Sequence, residues 1–282
     1  IHDLLQKSTE KIAEMPDENA MRAFAEQLGK ELLQKSVYAM QQETKSGEYF
    51  IAKLLKEGVD VVAAAYRQVK NSKFAIEKME SEVQSDVFRG KVDRVDGTDT
   101  YVRVIDYKTG KIDDSATAYY TGQKIQMQLY MSELKGERVP AGVFYFPASV
   151  EYVEDVEGRF RMKGFLNGDA DALLCGDVNL VGNKKSEYFP AALENAATVK
   201  RVMDEKTFRD FLDYSVLVAR QGVAELKDGF IAPTPYSGNC EYCKYGGMCG
   251  FRKDVPTTRK EKTVDPKAIA KVVQSARGEE EA

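Results

Sequence analysis

The residues best able to do chemistry lie between positions 90 and 110. Gly90-Lys91-Val92-Asp93-Arg94-Val95-Asp96 is followed by Arg103-Val104-Ile105-Asp106-Tyr107-Lys108-Thr109-Gly110. On a strand, side chains two apart share a face, so Asp106 and Lys108 project together. Asp93 lies on the neighbouring strand of the expected hairpin and reaches the same face. Two carboxylates and an ammonium converge there. Hard divalent cations such as Mg²⁺ take oxygen ligands, one or two carboxylates with waters and substrate phosphate. A cation so held makes water more acidic and neutralises charge on a phosphoryl group, and an adjacent lysine orients the water. The combination suits phosphodiester hydrolysis. The competing reading of Asp-x-Lys is a solvated strand face, but here the pair ends an apolar run of Val102, Val104 and Ile105.

A second grouping is Cys240-Glu241-Tyr242-Cys243-Lys244-Tyr245-Gly246-Gly247-Met248-Cys249. Three thiols within ten residues form a metal-site pattern, and either a structural zinc or an iron–sulfur cluster would want a fourth ligand. The other cysteine, Cys175, sits in the apolar run Ala172-Leu173-Leu174-Cys175 and reads as a core residue rather than that ligand. Four cysteines in 282 residues are too sparse for a disulfide scaffold. The single histidine, His2, excludes a multi-histidine zinc site. No G-x-x-x-x-G-K-[ST] loop occurs, so nothing suggests ATP hydrolysis.

The elements that must position these groups read as an α/β domain. Helical spacing runs through Leu4, Leu5, Ile12 and Met15, through Met21, Phe24, Leu28, Leu32 and Leu33, and, after a break at Lys45-Ser46-Gly47, through Leu54, Leu55, Val59 and Val62. Phe74–Val83, Phe88–Val95 and Thr100–Tyr107 read as strands, the last two joined through Asp96-Gly97-Thr98-Asp99. A helical stretch over 115–134, a buried strand over 141–146, an irregular region over 148–205 and a helix over 207–226 follow. Residues 1–251, with the cysteine loop 240–249, form the expected domain, and 252–282 a mobile charged tail. Hydrophobic residues make up 43% of the chain, enough for a core, and a net charge of −4 restricts any nucleic-acid contact to a local basic groove. No apolar stretch approaches the roughly 18 residues of a membrane span, so a soluble, cytoplasmic protein is expected. The chain opens on Ile1 rather than Met, which suggests a segment of something longer.

The Gly-x-Val-Asp-Arg-Val-Asp and Val-Ile-Asp-Tyr-Lys-Thr-Gly stretches resemble the active-site hairpin of the PD-(D/E)xK nucleases, specifically their RecB-like branch. That branch carries a helical Q-x-x-x-Y motif downstream, matched by Gln126 and Tyr130, four apart and so on one helix face; Gln128 has the same chemistry. His2-Asp3-Leu4-Leu5 is similar to the upstream metal-binding histidine context of the branch, and its further acidic residue is Glu80 or Glu82. The resemblance implies a restriction-endonuclease-like mixed sheet flanked by helices. It implies Mg²⁺ or Mn²⁺ held by His2, Asp93, Asp106 and the Tyr107 carbonyl, with Lys108 positioning water and with Gln126 and Tyr130 orienting Lys108 or the DNA. The cysteine spacing resembles the staple that binds a 4Fe-4S cluster through Cys240, Cys243 and Cys249, with a fourth cysteine far upstream. Asp-Tyr-Lys, with the runs 141–146 and 161–166, looks like the AddB type rather than the compact CRISPR-associated nucleases. An exonuclease on a single DNA strand is then implied, working with an AddA-type helicase–nuclease partner in double-strand break repair and recombination. The rival readings are a catalytically inactive DNA-binding scaffold, a stand-alone CRISPR-type exonuclease and a zinc-stapled module.

Overall fold

Helix formation at the start of the chain follows its caps. Helix α1 (His2–Thr9) is followed by α2 (Glu18–Leu33), whose Asp17 side chain accepts from the Ala20 N–H, and by α3 (Lys45–Lys70), whose Thr44 accepts from Gly47 N–H. The break at Lys45-Ser46-Gly47 is therefore the first turn of α3. The computed structural model describes residues 1–35, 43–149, 158–194, 196–236, 238–241, 243–251, 259 and 263–278.

Six strands make one mixed sheet in chain order: β1 (Ala75–Gln84), β2 (Arg89–Gly97), β3 (Tyr101–Lys108), β4 (Val139–Pro147), β5 (Lys163–Asn167) and β6 (Val202–Met203). The first three are antiparallel neighbours, while β3 and β4 run parallel. A parallel step needs a long crossover, and this one carries α4 (Ala116–Tyr120) and α5 (Gln126–Leu134). The helical stretch expected over 115–134 divides there because Gly122 takes a left-handed φ of 78°. Asp96 is not in the hairpin turn as expected: it belongs to β2, and Thr98 N–H closes the connection onto the Tyr101 carbonyl.

Both sheet faces are covered. Ile105, Tyr107, Phe144 and Phe146 pack with Leu5, Met21, Val61 and Ala65 of the first three helices. On the other face Val102, Val104, Val143 and Phe165 pack with Met127 and Met131 of α5 and with Phe208 and Phe211 of α7 (Glu205–Lys227). Central strands buried on both sides are mostly apolar, which is why β4 reads as a hydrophobic run and β3 as one interrupted by Arg103 and Asp106. The fold is the restriction-endonuclease-like sheet with flanking helices that the sequence led us to expect.

Two further expectations need correction. Residues 148–205, read as irregular, contribute β5, β6 and α6 (Ala170–Gly176), elements too short for a periodic signal. The described part of 252–282, expected as a mobile tail, includes a packed helix. After the short α8 (Gly246–Cys249), Pro266–Ala276 folds as α9, capped by Asp265, and buries Ile269, Ala270 and Val273 in the cluster that holds Phe208 and Phe211. Arg277 then pairs with Asp210 and Asp213 of α7. Residues 252–258, 260–262 and 279–282, including the acidic Glu279-Glu280-Glu281, lie outside the described residues. No described helix is long and apolar enough to cross a membrane.

Candidate active site

Three elements bring ligand atoms to one point. His2 opens α1, Glu80 lies in β1 and Asp93 in β2, and one donor atom from each falls within 4.8 Å of the others. His2 Nδ1 is 3.9 Å from Asp93 Oδ2, and the Tyr107 backbone N–H donates to that same oxygen at 2.7 Å. Of the two glutamates left open by the sequence, Glu80 is the one that lies with His2 and Asp93. Glu82 is exposed and pairs with Arg89, whereas Glu80 turns toward Asp93. It does so from a backbone φ of 49°, the one described non-glycine residue with positive φ, in the middle of a strand. Such conformations cost of order 1–3 kcal/mol and persist where neighbouring structure enforces them, often at functional sites. Lys91 forms an ion pair with Glu80, which raises the lysine's pKa.

Asp106 and Lys108 stand beside this trio on β3. Lys108 Nζ lies 2.7 Å from Asp106 Oδ2, yet that buried oxygen has no hydrogen bond of good geometry. Asp106 does not join the His2–Glu80–Asp93 group at 4.8 Å, although its charge acts on Asp93. Burial first, and then Asp106 and Glu80, push the Asp93 carboxyl up from its ordinary value, against the Tyr107 N–H and His2. Crowded carboxylates, an orphaned carboxylate oxygen and an imidazole are an oxygen-rich donor set suited to a hard divalent cation.

Behind the site, a charge network that residue spacing did not reveal fixes the strands. Asp96, fully buried, accepts from Arg94 Nε and Nη2, both at 2.6 Å, and from Arg103 Nε at 2.9 Å. Arg94 also donates to Gln68 of α3 and to the Tyr107 hydroxyl. Burial opposes both guanidinium charges. Asp96 more than offsets this for Arg94, whose pKa rises, whereas Arg103 is drawn down to about 10, with repulsion from Arg94 adding to the effect. Arg94 thus pins Tyr107, whose backbone in turn holds Asp93.

The PD-(D/E)XK nuclease superfamily pattern matches residues 1–250. The chain belongs to that superfamily. It is also similar to a protein of Lachnoclostridium phytofermentans, the B-type subunit of an ATP-dependent helicase/deoxyribonuclease, 30% identical over 199 residues that cover 58% of this chain and 17% of the relative. The Listeria innocua protein of the same name is 26% identical over 256 residues, 74% of this chain and 22% of the relative. That of Clostridium kluyveri is 26% identical over 196 residues, 57% and 17% respectively. The chain therefore spans only 17–22% of the length of these curated relatives.

Of the other candidate residues, Gln126 and Tyr130 bond to each other. Gln126 Nε2 donates to Tyr130 Oη at 2.5 Å, and that hydroxyl accepts the Lys91 backbone N–H at 3.2 Å. Tyr130 is buried, and the pair braces β2 near Gly90 and Lys91; no described hydrogen bond joins it to Lys108. Gln128 is buried, with an unsatisfied Oε1. The cysteines are not gathered. Cys243 and Cys249 are exposed, Cys240 is half-buried, and among the described residues the three do not form a metal-ready group. Cys175 packs with Phe74, Ala141 and Ala172, as its apolar run implied, and its backbone carbonyl accepts from Lys73. As described, the thiols do not make up a four-sulfur ligand set.

Proposed function

We propose that the chain is a metal-dependent deoxyribonuclease domain of the AddB type, which hydrolyses phosphodiester bonds of a DNA strand as an exonuclease. The observation that carries this reading is the meeting of His2, Glu80 and Asp93 within 4.8 Å, beside Asp106 and Lys108. His2, Glu80, Asp93, Asp106 and the Tyr107 carbonyl would hold Mg²⁺ or Mn²⁺. When bound, such a cation supplies charge neutralisation at the phosphoryl group and a more acidic water. Lys108 holds and orients the attacking water by donating to it, and Asp106 aligns the Lys108 ammonium. Tyr107 N–H fixes Asp93, and Gln126 with Tyr130 fixes the strand that carries it.

The test is direct. With Mn²⁺ the chain should degrade single-stranded DNA, and Asp106→Ala should abolish cleavage while leaving the melting temperature near that of the parent. Equal cleavage by the variant would sink the assignment.

The same reading assigns the strand to DNA unwound by an AddA-type helicase partner, in double-strand break repair and recombination in the cytoplasm. It also assigns Cys240, Cys243 and Cys249 to a 4Fe-4S cluster, which takes a fourth ligand besides these three. The protein purified without oxygen should contain iron and acid-labile sulfide; zinc in their place would favour a zinc staple.

A further inference from the structure

The parallel pairing of β3 with β4 sets Tyr145 directly opposite Asp106, so both side chains rise on one sheet face. Lys108, two residues on, shares that face and bends back over it. Its Nζ lies 5.6 Å from the centre of the Tyr145 ring and 2.7 Å from Asp106 Oδ2. An ammonium within about 6 Å of an aromatic face is attracted by the ring quadrupole. Lys108 is 41% exposed, so without such partners its long stem would sample many rotamers. Asp106 alone fixes a distance. The ring adds a floor, and the two together restrict the ammonium to one side of the carboxylate. Tyr145 is well placed to stay in this role: burial first, then Asp106 and Asp113, push its hydroxyl up to about 12, so the ring carries no charge of its own at neutral pH. Lys163 faces it from β5 and makes no ion pair among the described residues.

We propose that Tyr145 is a positioning residue for Lys108, holding the ammonium over Asp106 in the geometry that hydrolysis uses. This rests on the assignment of Lys108 above. The decisive contact is with the ring face, not the hydroxyl, which separates Tyr145→Phe from Tyr145→Leu.

The lysines of the chain are dimethylated with ¹³C-formaldehyde, and the Lys108 methyl resonance is identified by its loss in Lys108→Arg. Ring current should move that resonance upfield in the parent and in Tyr145→Phe, and release it in Tyr145→Leu. On unmodified protein, Tyr145→Leu should lower kcat on single-stranded DNA about tenfold or more with KM little changed, and Tyr145→Phe should restore it, since small misplacements of a reacting group have effects up to about 100-fold. An unshifted parent resonance overturns the proposal. So does a Tyr145→Leu variant that raises KM at constant kcat, which would place the ring on DNA instead. If Asp106→Ala remains active the nuclease reading fails, but the methyl resonance still reports whether Tyr145 holds Lys108.

Discussion

Asp93 is held in a state that its surroundings penalise. Its folded pKa lies above the unfolded one, because burial and the neighbouring carboxylates Asp106 and Glu80 disfavour the charge. Ionised Asp93 therefore costs stability at all pH values above the raised folded value, and the cost vanishes as pH falls below the ordinary carboxylate range. Asp93→Asn should accordingly raise the melting temperature at neutral pH in the absence of divalent ions, by about 2–4 °C per kcal/mol relieved. An asparagine oxygen can still accept the Tyr107 N–H, so the strand geometry is kept. The gain should shrink toward acidic pH in thermal melts, and nuclease activity should be lost. A lower melting temperature at neutral pH would show that the carboxylate is structurally required there. Much at this scale was legible. Asp93, Asp106 and Lys108 could be picked from residue type and spacing, and His2 from the family resemblance. Tyr145 could not, because its place opposite Asp106 depends on a parallel register set across the long β3–β4 crossover.

Among the elements, β2 and α5 meet at a contact that only glycine permits. A Cβ on Gly90 would lie 2.2 Å from Tyr130 Oη and 2.6 Å from Cε1. The tyrosine is buried and tied to Gln126 and to the Lys91 backbone, so it cannot swing aside freely. Gly90→Ala should therefore destabilise the domain by about 1–3 kcal/mol, in line with overpacking elsewhere, and lower activity as β2 shifts under Asp93. Chemical denaturation and cleavage rate measured on one preparation would check both, and an unchanged denaturation midpoint would refute the contact. The Q-x-x-x-Y spacing correctly placed Gln126 and Tyr130 on a common helix face. What spacing could not tell was their target, since the choice between Lys108 and the Lys91 backbone depends on how α5 docks. The buried Arg94–Asp96–Arg103 network was hidden for a similar reason: charges written next to a turn signal look solvated until the opposing helix is known.

For the molecule as a whole, the C-terminal helix α9 completes the layer on the α5 and α7 side. Ile269 is fully buried, and Arg277 reaches back to two aspartates of α7. Ile269→Ala should cost about 2–5 kcal/mol if the site cannot collapse, read as a fall in melting temperature. No measurable change would mean that α9 docks loosely. The charge-rich composition of 252–282 concealed this helix, because its apolar stripe consists of only a few residues among lysines. Strand β4, by contrast, was foreseeable from its apolar run, whereas β5 and β6 were too short to read. One edge of the sheet bears a final consequence. β1 is ten residues long and stands at the end of the strand order, a form that invites another chain to add a strand and aggregate. Near the middle of that edge Glu80 adopts a positive φ of 49°. Together with the bulge between Ile76 and Lys78, this gives the edge an irregular backbone that an added strand would have to match, the kind of feature that counters edge-to-edge association.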